Sequence, residues 1–237
     1  MKSLIKNCFF YFIALFSMAY MLSANGADNS IYITQSGGSS ALTMNIDQIG
    51  SSNVVGTTSS RVSLTGTTMT VDIDQIGDSN VIAATIAQGN TTSFTLTNTG
   101  DSNTQTLAAG ATGDVAGSDF DFAATGDSNA LTFTQGAAST ATSGNTDIVI
   151  AGTSNDLNIV SEVVGATNNW DVDGDSNDID TTQTGNANSS IIADITGNTN
   201  NIDIDQTSGT GSTSGIVNII GITTGGTIDI DQCSSGC

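Results

Sequence analysis

A tetrad, Gly-x-(Ser/Thr)-Asn, returns along the chain at near-constant intervals, and no other feature restricts the fold as much. It reads GSSN at Gly50, GDSN at Gly77, Gly100, Gly126 and Gly174, GTSN at Gly152 and GNTN at Gly197. Successive glycines lie 27, 23, 26, 26, 22 and 23 residues apart. A period in this range marks stacked units, none of which buries its apolar face alone. Weaker copies, GADN at Gly26 and TTGG at Thr223, extend the series toward both ends.

The flanks of the tetrad alternate at period two, the signature of a strand. MNIDQIG (44–50), VDIDQIG (71–77) and FTLTNTG (94–100) precede it; VIAATIA (81–87), DLNIVS (156–161) and NIDIDQ (201–206) follow it. Gly and Asn tolerate positive φ, so the tetrad suits a tight turn. Each repeat therefore reads as strand, turn, strand, then a Gly/Ser/Thr-rich arc of variable length. The expected fold class is all-β: a β-solenoid of about eight rungs over residues 28–237, about 22–27 residues per repeat, with neighbouring rungs about 4.8 Å apart.

In that arrangement Val71, Ile73, Ile82, Ala84, Leu131, Phe133, Leu157, Ile159, Ile179, Ile202 and Ile204 face inward. Gln48, Gln75, Gln135, Gln183 and Gln206 share their phase, and Gln35 and Gln232 occupy matching places near the two ends. A lone buried amide costs free energy, but amides in register one rung apart form a ladder. These glutamines, with the turn residues Asn53, Asn80, Asn103, Asn129, Asn155, Asn177 and Asn200, are the candidate internal ladders. The alternative is that Gln marks the wetter end of each strand.

The aspartates fall on the outward phase: Asp47, Asp72, Asp74, Asp121, Asp178, Asp180, Asp203 and Asp205. Carboxylates at rung spacing repel, by roughly 1 kcal/mol in water and less in salt. The plain reading is solubility and resistance to lateral clumping. The sharper one is binding of a divalent cation such as Ca²⁺ by the turn acids Asp78, Asp101, Asp127 and Asp175. The tandem Gly-Gly-x-Gly-x-Asp pattern of calcium-bound solenoids is absent.

The first 27 residues read as a secretory signal peptide. Lys2 and Lys6 form a basic start, Cys8–Leu22 an apolar run, and Ser23–Ala27 a small-residue cleavage region. Its removal takes away both lysines and leaves 23 acids against Arg61, a net charge of 1 − 23 = −22. Such a surface repels nucleic acid and anionic membranes, and no later segment has the length and apolarity of a membrane span. Cys233 and Cys237, in the terminal CSSGC, are expected to form a small disulfide in an oxidising compartment.

The pattern resembles the curlin-repeat family, the subunits of curli. That repeat carries Gln-x-Gly-x-Gly-Asn-x-Ala-x3-Gln. Its first half is matched by Gln48, Gly50 and Asn53, and by Gln75, Gly77 and Asn80. Its Asn-x5-Gln half is matched by Asn29 with Gln35, Asn129 with Gln135, Asn177 with Gln183, and Asn200 with Gln206. The second Gly is Ser or Thr here, the Ala is usually Leu or Ile, and few repeats carry both glutamines. The resemblance implies a self-polymerising amyloid fibre subunit of an extracellular matrix. It also implies an outer-membrane secretion pore and a nucleating subunit as partners.

The chain offers little for catalysis. It has no His, one cation outside the leader, and no Cys beside a base, so an enzyme is not expected. The expected function is a secreted structural protein that assembles end to end, with adhesion and biofilm matrix as its setting. It contains no Pro and, beyond the leader, no Lys, the residues that commonly blunt strand edges. The rival readings are a monomeric solenoid adhesin, a virion or surface fibre component, and an ice- or cation-binding face. The Thr of runs such as 91–100 is too scattered for a regular ice-binding row.

Overall fold

The computed structural model describes residues 18–25, 28–35, 41–50, 52–56, 62–88, 90–110, 116–136, 141–142, 144–185, 189–208, 215–221 and 225–233. They form a parallel β-solenoid. The strand before each turn enters a nine-stranded sheet, here sheet A, and the strand after it enters sheet B. One strand of each makes a rung. Rung 1 is Met18–Asn25 and Asp28–Ile31; rung 2 is Leu42–Ile49 followed by Ser52–Val55 and Val62–Thr65. Rung 3 is Met69–Ile76 and Ser79–Gln88, rung 4 Thr92–Thr99 and Ser102–Ala109, rung 5 Asp119–Thr125 and Ser128–Gln135. Rung 6 is Asn145–Ala151 and Ser154–Ser161, rung 7 Thr167–Asp173 and Ser176–Gly185, rung 8 Ser190–Thr196 and Thr199–Ser208, and rung 9 Ile216–Ile220 and Thr227–Cys233.

Residues 18–25, assigned by the sequence to the leader, pair with Leu42–Ile49, Met18 opposite Leu42 and Asn25 opposite Ile49. Rung 2 differs from the others in sheet B. Val54 and Val55 meet Val81 and Ile82, whereas Val62 meets Ala84, so two separate strands of this rung share the one strand Ser79–Gln88 as neighbour. The described residues include no helix long and apolar enough to cross a membrane.

Alternate residues of the inner strands are buried, as in Leu42–Ile49, where Leu42, Met44, Ile46 and Gln48 lie in the interior. All eleven residues expected to face inward are buried: Val71, Ile73, Ile82, Ala84, Leu131, Phe133, Leu157, Ile159, Ile179, Ile202 and Ile204. Bulk is balanced between rungs. Phe94 lies opposite Phe120 in sheet A, and the ring of Phe133 packs from sheet B at 5.2 Å from Phe120 and 4.9 Å from Phe122. These tilted arrangements suit aromatic quadrupoles. Trp170, the single tryptophan, is followed in its column by Ala193, which gives the indole room. This close stacking is what holds the turns, one above another, along one edge.

Candidate assembly site

The turn glycines are required by contact with the rung below. A Cβ at Gly77 would overlap the carbonyl oxygen of Gly50; Gly100 meets Gly77 in the same way, and the series continues through Gly126, Gly152, Gly174 and Gly197. Of these, only Gly197 has a positive φ, and no turn Asn does. The expectation that Gly and Asn serve here for left-handed backbone is therefore corrected: the glycine makes room for a stacked carbonyl.

That close stacking aligns the asparagines. Asn53 Nδ2 donates to Asn80 Oδ1 at 3.2 Å, Asn80 to Asn103 at 3.0 Å, and Asn103 to Asn129 at 2.8 Å. The ladder continues from Asn129 to Asn155 at 2.9 Å, to Asn177 at 2.7 Å and to Asn200 at 3.0 Å. All seven are buried. The amide nitrogens of the first six also reach backbone carbonyls; that of Asn129, for example, meets Gly126 O at 3.2 Å and Ala151 O at 3.1 Å. One side chain thus ties its own turn to the next rung. The ladder ends where the register places Gly226 after Asn200, and Asn200 Nδ2 is buried without a partner.

The glutamines form two separate columns. In sheet A, Gln75 Nε2 donates to Gln48 Oε1 at 2.6 Å, and the column then passes to Asn98 and Ala124. In sheet B, Gln135, Ser161, Gln183, Gln206 and Gln232 are successive partners. Gln206 Nε2 donates to Gln183 Oε1 at 2.6 Å and Gln232 Nε2 to Gln206 Oε1 at 2.7 Å. Gln135 has only the Ser161 hydroxyl, at 3.5 Å, and its Nε2 is buried without a partner. Gln35 is buried, and its Oε1 accepts from the Thr65 backbone N–H at 2.9 Å. The two ladders run in opposite senses: Asn nitrogens donate toward the C-terminal end, Gln nitrogens toward the N-terminal end.

Sequence reasoning passed over other buried polar groups. Gln105 is buried in the sheet-B column between Ile82 and Leu131, its nitrogen on Ala123 O at 3.1 Å. Asn168 and Thr146 are buried in the column of Phe120, with both amide atoms of Asn168 and the Thr146 hydroxyl unpartnered. Both positions lie on the inward phase, which was the available signal.

The outward aspartates line the two faces, with Asp47, Asp178, Asp180, Asp203 and Asp205 exposed and Asp72, Asp74 and Asp121 half-buried. Several acids face donors in the next rung. Asn169 Nδ2 donates to Asp147 at 2.7 Å, Asn198 to Asp175 at 2.8 Å and Asn201 to Asp178 at 2.8 Å. Three of the outward carboxyls, those of Asp72, Asp121 and Asp171, are held above the ordinary value of 3.8. For Asp72 the causes are burial, then Asp74 and Asp47; for Asp121, burial, then Asp119 and Asp147, with a Thr95 hydrogen bond opposing them. For Asp171 they are burial, then Asp173 and Asp194.

The turn acids Asp78, Asp101, Asp127 and Asp175 are exposed along one edge, with Thr153 of GTSN taking the place between the last two. Among the described residues, the acids whose oxygens come within 4.8 Å of one another are a different set, Asp119, Asp121 and Asp147. Cys233 is disulfide-bonded; Cys237 lies outside the described residues.

A profile of the curlin associated repeat matches residues 174–207, which span the turn and sheet-B strand of rung 7 and nearly all of rung 8. No curated protein and no solved structure matched the chain. The matched repeat and the solenoid fit a curli-like structural protein.

Proposed function

We propose that this chain is a secreted subunit that polymerises end to end into curli-like amyloid fibres at the cell surface. The observation that carries the reading is the state of the last rung. Ile228 and Ile230 continue the columns of Ile202 and Ile204, yet they are 50% and 40% exposed where their neighbours are buried. The ladder of Gln183, Gln206 and Gln232 runs out to the same strand. An open edge with its apolar and amide columns in register is a template for another strand.

In this reading the role is structural rather than catalytic. The leader delivers the chain to export, an outer-membrane pore and a nucleating subunit serve as partners, and the fibre supports adhesion and matrix. The acid faces keep fibres apart laterally while leaving the ends to join. Calcium is not needed for the joining of ends.

The test is to dilute the processed chain out of denaturant and follow thioflavin fluorescence and electron microscopy. Unbranched fibres that seed fresh monomer are expected. A stable β-rich monomer would turn the reading toward a solenoid adhesin.

A further inference from the structure

We infer that copies join through sheet B in a single register, with residues 226–232 of one chain parallel to residues 29–35 of the next. The inference rests on the end-to-end reading above and specifies its contact. Ile31 begins a sheet-B column that passes through Val55 and Ile82 and ends at Ile202 and Ile228. Thr34 is bridged to Ser63, and that column ends at Asp205 and Asp231. Gln35, one residue on, therefore stands in the column that ends at Gln206 and Gln232. The first and last strands of sheet B carry matching residues at matching positions.

Extending each column by one rung sets Ile228 on Ile31, Ile230 on Ile33 and Gln232 on Gln35. The amides agree in polarity too. Gln232 Nε2 donates back to Gln206, so its Oε1 is the acceptor end of the ladder. The Oε1 of Gln35 faces forward, where it accepts from the Thr65 backbone N–H.

The charges agree as well. Inside the chain Asp229 stacks on Asp203 and Asp231 on Asp205. Across the junction Asp229 meets Tyr32 and Asp231 meets Thr34, so acid faces a neutral group. A slip of one residue turns every side chain to the wrong face. A slip of two puts Gln232 on Ile33, or Ile230 on Gln35, and strands an amide against an aliphatic group. Loss of residues 1–27 would also remove Met18–Asn25, leaving Asp28–Ile31 one rung ahead of Leu42–Ile49. Sheet B then leads the contact.

The test uses disulfide trapping in fibres of the processed chain, with Cys233 and Cys237 replaced by Ser. Thr34 and Asp231 are both exposed. In the inferred register their Cα atoms stand about 4.8 Å apart, within disulfide reach. Mixed fibres of T34C and D231C chains should give a covalent dimer on oxidation, and mixed fibres of S30C and D231C should not. A second arm leaves the cysteines intact: T34D should slow elongation, and adding D231N should restore it. Fibres in which D231C links to S30C, or not to T34C, together with unchanged T34D elongation, would overturn the register while leaving end-to-end growth standing. If no fibre forms from the unsubstituted chain, both fall.

Discussion

Asn80 and Asn98 are both buried asparagines, and their circumstances are opposite. Asn80, at the turn edge, accepts from Asn53 and donates to Asn103, inside a ladder of seven identical side chains. Asn98, in sheet A, follows Gln48 and Gln75, and neither of its amide atoms has a partner. Gln75 Oε1, the acceptor an incoming amide would use, is also buried and unpaired. Asn is one methylene shorter than Gln, so the ladder breaks at the change of length. Buried amides are favourable when the neighbouring rung presents the same side chain at the same height, and costly otherwise. Within the two amide ladders, identity between neighbouring rungs decides whether a side chain finds its partner.

The strongest challenge to this contrast lies in the turn glycines. Gly126→Ala is expected to destabilise by about 3 kcal/mol or more, because its Cβ would strike the Gly100 carbonyl, and backbone cannot move aside locally. Urea unfolding would measure it; a small change would mean that the turns are not stacked. Asn129→Ala comes next, at roughly 2–4 kcal/mol, since it removes one bonded amide, takes the acceptor from Asn103 Nδ2 and takes the donor from Asn155 Oδ1. Asn98→Gln should act in the opposite direction and raise stability by about 1 kcal/mol through a bond to Gln75 Oε1. Loss of stability in both Asn129→Ala and Asn98→Gln, by the same urea titration, would show that length matching is not the rule.

The smallest expected effect is that of pH. The carboxyls of Asp72, Asp121 and Asp171 stand above 3.8 in the folded chain. The folded state therefore holds protons more tightly than the unfolded one. The penalty is complete above the raised values and is relieved as pH falls through them toward 3.8. Melting temperature should rise modestly from pH 7 to about pH 4.5, and added salt at pH 7 should have the same sign. A fall in melting temperature on acidification would contradict the acid columns as a source of strain.

Much of this was legible in the sequence because one parallel stack converts sequence period into spatial register. The spacings of 27, 23, 26, 26, 22 and 23 residues between tetrads are also the separations of the hydrogen-bonded asparagines. The inward phase of Ile73, Phe133 or Ile204 follows from alternation alone. Which glutamines meet does not, because Gln48 and Gln135 share a phase but lie in different sheets. That rung 2 places two strands, Ser52–Val55 and Val62–Thr65, in sheet B was also hidden, since the arcs absorb length without altering the pattern. The stranded amides of Asn98 and Asn168 depend on what sits one rung away, which single-strand periodicity does not report.

The most direct test of the account is the mass per length of the fibres, measured by dark-field scanning transmission electron microscopy. Folded solenoids stacked end to end should give one chain per roughly 40 Å, about nine rungs at 4.8 Å each. One chain per about 4.8 Å would mean that each molecule contributes a single layer, and the solenoid would not be the unit of assembly.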